Sequence, residues 1–372
     1  MTATVAQLIR LLDGLAPPRL AESWDNVGLQ VGSRNWPVKK VWTALDPLPE
    51  VVAAAIENGV DLLVTHHPLI FKPLKRIDSD TTTGRIAEMA LAAKLAIFCA
   101  HTNLDSVAGG VNDILAGRMG LQSLRVLDKP ADADHCKVVV FAPEIHTRAI
   151  MDAVFAKGAG RIGNYSCCSF RCEGTGSFLP GKQASPTIGK IGSLEEVRES
   201  RIEVLVHRDD VGRVLAAAEQ AHPYETMAYD VYPLNGQDAG VGLGRVGTLP
   251  EPVALADFSK NLKAVLNLST VKVVGFAGMP VKTVALCSGS GSGLFQSALS
   301  SGADVYVSGD LGYHTARDAQ QAGIGLVDIG HFGSEHIVVD ALAAALGKAI
   351  REAGISAEVE ASDMEMDPFD YM

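Results

Sequence analysis

The chain has 372 residues, 47% of them hydrophobic and 20% charged, which excludes general disorder and leaves room for more than one domain at roughly 150 residues each. Acids outnumber bases 43 to 32, a formal charge of −11 that argues against a broad nucleic-acid surface. Apolar runs are too short for a membrane span: Glu88 and Lys94 break the stretch from Arg85 to Ala100, and Arg10 and Asp13 break the N-terminal stretch, which is no signal peptide.

Ala6 to Leu15 has the spacing of an amphipathic helix, stopped by Pro17 and Pro18. Val38 to Leu45 reads as a strand, Pro49 to Asn58 as a helix, Asp61 to Val64 as a short buried strand and Gly84 to Lys94 as a helix. Leu95 to Cys99 is the next strand and Val111 to Met119 the next helix. Unbroken apolar strands separated by helices predict parallel βα units.

From Asp128 the rhythm changes. His135 to Pro143 is a predicted strand, Thr147 to Lys157 a helix, Tyr165 to Cys172 and Arg201 to His207 strands, Asp209 to Glu219 a helix and Met227 to Leu234 a strand. That βαββαβ order is ferredoxin-like. The Gly-, Ser- and Pro-rich stretch Glu173 to Gly192 is expected to be a loop. Cys168 and Cys172 would share one strand face roughly 13 Å apart at ~3.3 Å per residue, too far for a disulfide, so Cys167, Cys168 and Cys172 are expected as packed, reduced thiols. Such cysteine usage predicts a cytoplasmic protein.

After Gly240 the βα alternation resumes. Strands are expected at Val281 to Cys287, Asp304 to Val307 and Leu326 to Ile329, and helices at Gly293 to Ser300, His314 to Ala322 and Ser334 to Ile350. The predicted organisation is an α/β core split in sequence, residues 1–127 and 239–372, around an inserted α+β domain, 128–238.

Ligands of open α/β sheets bind beyond the carboxyl ends of the strands. Six of the ten histidines follow predicted strand ends, a concentration that single structural histidines do not explain. His66, His67, Asp105, His331 and Glu335 are the candidate metal ligands; His331 and Glu335 stand i,i+4, on one face of a helical turn. Five ligands exceed the need of one tetrahedral ion and suffice, with a bridging carboxylate, for two divalent ions about 3.5–4 Å apart. Imidazole and carboxylate donors suit zinc, iron, manganese or nickel. His101 and His314 are candidates for proton transfer or for supporting the ligands, and His336 for a helix surface.

Gly242 to Gly247 matches GxGxxG, but no helix is expected after it and Thr248-Leu-Pro250 predicts a turn, so no dinucleotide site is assigned. Ser288 to Gly293 joins a strand to a helix, and Gly289, Gly291 and Gly293 are candidates for an anion-binding or phosphate-binding loop. The chain has no P-loop motif.

Five segments together resemble the Nif-three-like family, whose members carry the name GTP cyclohydrolase type 2 homolog: Ser23 to Leu29, Thr65 to Pro68, His101 to Asp105, Gly309-Asp310 with His314, and Gly330 to Glu335. The resemblance covers nearly the whole chain and puts the family's dinuclear ligands on the same five residues. It implies a Nif-three-like core, an inserted module like PII and CutA proteins that carries Gly160 to Tyr165 and His222 to Glu225, and a toroidal homohexamer. By the same resemblance the expected activity is hydrolysis of a nucleotide such as GTP; the alternative is a metal-binding regulator or scaffold whose insert senses a ligand. Six acids lie in the last fifteen residues, and Ile355 to Ala361 alternates as a terminal strand can.

Overall fold

Runs such as Leu62-Leu63-Val64 lack the polar alternation of a half-solvated strand, and the sheet they form is covered on both faces. The computed structural model describes residues 3–128, 135–163, 165–234 and 240–370. The chain divides into two compact units, Met1–Lys129 with Gly240–Met372, and Pro130–Ala239. The expected boundary at 238/239 and Asn164 of the quoted Gly160 to Tyr165 motif lie outside the described residues.

In the first unit a five-stranded sheet has the order Glu358–Ala361, Lys40–Ala44, Leu62–Thr65, Ala96–Cys99, Gly28–Val31. All neighbours are parallel except the last pair. Helix Val5–Leu15 places Val5, Leu8, Ile9 and Leu12 on one stripe, which packs with Leu342, Leu346 and Ile350 of helix Ile337–Glu352 over Val41, Leu62 and Phe98. Helices Pro49–Glu57 and Thr82–Ala93 cover the other face through Val51, Val52, Ile86 and Ala90. Each fully buried leucine here stabilises the fold by about 1.5–3 kcal/mol.

A six-stranded sheet follows the order Lys272–Val274, Gly325–Asp328, Val305–Gly309, Pro280–Ser290, Leu243–Ala254, Gln122–Asp128. Only its middle three strands are mutually parallel; the flanking ones are antiparallel, so the βα expectation holds for the centre and not for the edges. The turn expected at Thr248-Leu-Pro250 is instead part of strand Leu243–Ala254, whose register shifts between Thr248 and Val253, and such an irregularity admits a proline. The helix expected from Ser334 is two helices, His331–Glu335 and Ile337–Glu352, and His336 between them is half-buried against Phe332 rather than on the surface.

The second unit is a four-stranded antiparallel sheet in the order Tyr229–Pro233, His135–Pro143, Glu195–His207, Ser169–Phe178, the ferredoxin-like arrangement. Helices Thr147–Ala156 and Val211–Ala221 pack through Ile150, Val154, Val214 and Ala218 on Val138, Val140, Ile202 and Val204. Two expectations fail here. Strand Ser169–Phe178 starts later and runs into the expected loop, because ten residues pair with Glu195–Val204, and cross-strand bonding outweighs the poor strand propensity of Gly174 and Gly176. The cysteines are not packed: Cys167 and Cys168 precede the strand, and Cys167 and Cys172 are exposed on an edge that nothing in this unit covers. No helix is long and apolar enough to cross a membrane among the described residues.

Candidate metal centre

The parallel strands of the first unit end in short turns that carry its polar residues. Strand Leu62–Thr65 delivers His66 and His67, Ala96–Cys99 delivers His101 and then helix Thr102–Ser106 with Asp105, and Gly325–Asp328 leads to helix His331–Glu335. These six side chains meet. His66, Asp105 and Glu335 form one group of ligand atoms within 4.8 Å of one another, and His67, His331 and Glu335 form another. Glu335 belongs to both: its Oε1 is 3.6 Å from His66 Nε2, while its Oε2 is 2.9 Å from His67 Nε2 and 3.0 Å from His331 Nε2.

The donor set fits a metal ion. His66 is fully buried and its Nδ1 donates to the Ala100 carbonyl at 2.9 Å, so in the neutral ring Nε2 carries the lone pair. That Nε2 is buried with no hydrogen-bond partner, facing Asp105 Oδ1 at 3.7 Å and Glu335 Oε1 at 3.6 Å. Donors about 2.0–2.2 Å from one tetrahedral ion stand about 3.3–3.6 Å apart, close to these separations. A buried orphan nitrogen is costly unless something occupies its lone pair.

Three of the four histidines are aimed by a carboxylate on the other ring nitrogen: Asp46 to His67 at 2.8 Å, Asp25 to His101 at 2.9 Å and Asp310 to His331 at 2.7 Å. Such pairs fix the tautomer and leave Nε2 facing the cluster. Asp310 holds a left-handed φ of 51°, a conformation Asp tolerates better than most residues, and that turn points its carboxylate at His331. Gly289 also has a left-handed φ, of 60°, and a β-carbon there would collide with Glu335 Oε1. Its N–H is taken by Ser334 Oγ at 2.8 Å. Gly291 is likewise enclosed, against Ser308 and Tyr306, whereas Gly293 lines the cavity over the centre.

His101 offers a ring nitrogen within 4.8 Å of those of His66 and His67. His314 is exposed on helix Tyr313–Ala322 with its ring edge on Tyr313, and the fold does not bring it to the cluster. Asp46 is not among the candidates that the sequence offers, and Asp25 and Asp310 enter there only as parts of motifs. The signal for Asp46 is its place two residues past strand Lys40–Ala44, a strand end with no histidine to mark it. A cavity of about 560 Å³ opens over the cluster, with Trp24 and Phe71 at one side, their rings 5.8 Å apart, and Ser288 and Ser290 on another wall.

Electrostatics without an ion show what an ion would replace. Burial alone would lower the His67 pKa, but bonds to Asp46 and Glu335 override it and push it up to about 10. The bond to Glu335 raises His331 to about 9, against burial, with Asp310 adding to it. Burial would raise Glu335, yet the three histidines hold it well below the carboxylate range. Burial, with Glu335 nearby, raises Asp105. Protons on the histidines thus balance the acids in the metal-free protein.

Two predictions arise here. Because His67 and His331 are raised above their unfolded value of about 6.5, their stabilisation of metal-free protein is complete below that pH and is lost as pH rises through about 9 to 10. Melting temperature measured from pH 6.5 to 10 is expected to fall more in chelated than in metal-loaded protein; parallel curves would contradict the assignment. Separately, Asp46→Asn or Asp310→Asn is expected to weaken metal retention about 10–100-fold in a chelator competition, by releasing the ring it orients.

The family description Duf34/NIF3 (NGG1p interacting factor 3) matches residues 3–368 of this chain. A Halalkalibacterium halodurans protein named GTP cyclohydrolase 1 type 2 homolog is 41% identical over 365 residues, 98% of each chain. A Bacillus subtilis protein of the same name is 39% identical over 366 residues, again 98% of each. The crystal structure of a Bacillus cereus protein related to NIF3 is similar over 100% of both chains, with 39% identity and a TM-score of 0.70.

Proposed function

The chain belongs to the Duf34/NIF3 family, and from that premise and the shared Glu335 we propose that it holds two divalent ions and hydrolyses a nucleotide or a related small molecule. The observation that carries this reading is the carboxylate whose two oxygens serve two separate histidine groups. His66, Asp105 and Glu335 would hold one ion, and His67, His331 and Glu335 the other. Bound ions of this kind lower the pKa of water toward 7 and polarise an electrophile.

The chain's own residues supply the rest. Asp25 accepts from His101 Nδ1, which leaves the other ring nitrogen as a base beside the cluster, placed to take a proton from the attacking water. Thr102 fixes Asp25 in turn, its hydroxyl donating at 2.5 Å and its N–H at 3.1 Å. Trp24 and Phe71 offer an exposed aromatic wall for a flat base, and Lys72, Lys75 and Arg76 follow Phe71 in the chain as exposed cations for an anionic tail. The names of the relatives make GTP the first nucleotide to try.

Elemental analysis of anaerobically purified protein is expected to give about two metals per chain, among zinc, iron, manganese and nickel, and a value near zero would sink the proposal. Metal-loaded protein is then incubated with a nucleotide panel while base loss, ring opening and phosphate release are followed. Turnover of at least one nucleotide is expected. A hexamer is part of the same proposal, expected to run at six times the 39.2 kDa chain mass in light scattering. A regulatory reading is favoured by one observation, the separate cavity of the second unit; metal without turnover on any substrate would leave that reading standing.

A further inference from the structure

The second unit has its own cavity, on the sheet face that its helices leave open. Side chains alternate along a strand, and Ile202 and Val204 point to the helices, so Glu199 points the other way. Phe141 and Phe178 share that open face by register. Gly176 lies under the Glu199 carboxylate, where any β-carbon would collide with it. This accounts for a glycine in mid-strand.

The segment from Pro180 to Ile188 closes over this floor and is tied down. Ser185 gives its N–H to Glu225 at 2.8 Å, and Thr187 gives its hydroxyl to the Pro223 carbonyl at 2.7 Å. His222 sets the turn beneath: its Nδ1 accepts the Tyr224 N–H at 3.1 Å and its Nε2 donates to the Phe141 carbonyl at 2.9 Å, so it is neutral and structural. The enclosed space is about 260 Å³ and mostly apolar, walled by Phe141, Phe178, Tyr224 and Ile188.

Two polar groups of this wall face each other. The Tyr224 hydroxyl is buried beside the Glu199 carboxylate, burial together with that carboxylate raises its pKa, and among the described residues no cation pairs with Glu199. Arg201 stacks on the Phe141 ring at 5.4 Å but gives its Nε–H to Glu203. Glu225 adds a second carboxylate to the lining, so the cavity repels anions. We propose that it binds a small organic amine, an ammonium group on an apolar or aromatic body. The ammonium pairs with Glu199, the aromatic rings surround the body and add cation–π attraction, and Tyr224 completes the polar end.

Phenethylamine and its neutral counterpart 2-phenylethanol, titrated calorimetrically into the full-length protein, test this. Saturable binding of one phenethylamine per chain is expected, at least about tenfold tighter than that of the alcohol and at least about tenfold weaker in Glu199→Gln. Ala184→Trp, which fills the cavity from the loop side, is expected to abolish it, and chelator-treated protein to bind as well as metal-loaded protein. Equal affinity for the two probes, unchanged binding in Glu199→Gln, or no saturable binding at millimolar probe would overturn the proposal. None of these outcomes depends on the metal centre being an enzyme.

Discussion

Replacing Glu335 by alanine is expected to reduce the metal content from about two per chain to below one and to remove turnover. The loss should exceed the about 10–100-fold that an outer partner of a ligand costs, because this single side chain faces both histidine groups. It also removes one counter-charge of His66, His67 and His331, so the extra fall in stability of chelated protein at high pH should shrink, with Asp46 and Asp310 left to hold part of it. Glu335→Gln serves as the control of shape, retaining the volume of the side chain while losing its charge. Metal content near two in either variant, measured by elemental analysis, would rule out a shared carboxylate at the centre.

The second large effect lies away from the chemistry. Asp113→Ala is expected to destabilise the protein by about 3–5 kcal/mol, since it leaves a buried guanidinium without its counter-ion. Arg245 is 2% exposed and pairs with Asp113 through Nε at 2.8 Å and Nη2 at 2.9 Å. The Asp113 side chain is 21% exposed, which favours the lower end of that range. A drop of about 5–10 °C in melting temperature corresponds. Apolar replacement of both partners often restores stability elsewhere, but not here. Arg245 also donates to the carbonyls of Gly242, Gly244, Val107 and Gly240, and Asp113→Leu with Arg245→Met would leave all four without that donor. Full recovery in the double variant, measured by thermal unfolding, would contradict this account.

That cluster gives the GxGxxG segment a structural purpose. Gly244 has a φ of 64° and a β-carbon there would sit 2.6 Å from the Leu286 carbonyl, so the glycine lets the strand bring its carbonyls to the arginine. A motif scan sees only the glycines. The convergence of strand ends was legible because a hydrophobic run followed at once by His-His or His-Phe-Gly-Ser-Glu is an unusual juxtaposition. The carboxylates behind the rings were not, since an aspartate after a strand more often caps a turn, and nothing local tells the two apart. The extent of strand Ser169–Phe178 was hidden for a related reason: its partner supplies the order that its own glycines lack. The C-terminal acids divide similarly, with Glu365 accepting the N–H groups of Leu45 and Asp46 at 2.8 and 2.6 Å, a role that only the folded chain reveals.

The contact between His67 and Glu335 spans 268 residues, and that distance has a temporal meaning. A ribosome adding about 5–20 residues per second needs tens of seconds to make the second after the first. By the end of that interval Pro130–Ala239, being contiguous, is already whole, whereas His66, His67, His101 and Asp105 still lack the carboxylate that joins them. An ion captured early would meet three imidazoles and Asp105 but no bridging Glu335. A site that needs Glu335 is therefore complete only in the finished polypeptide.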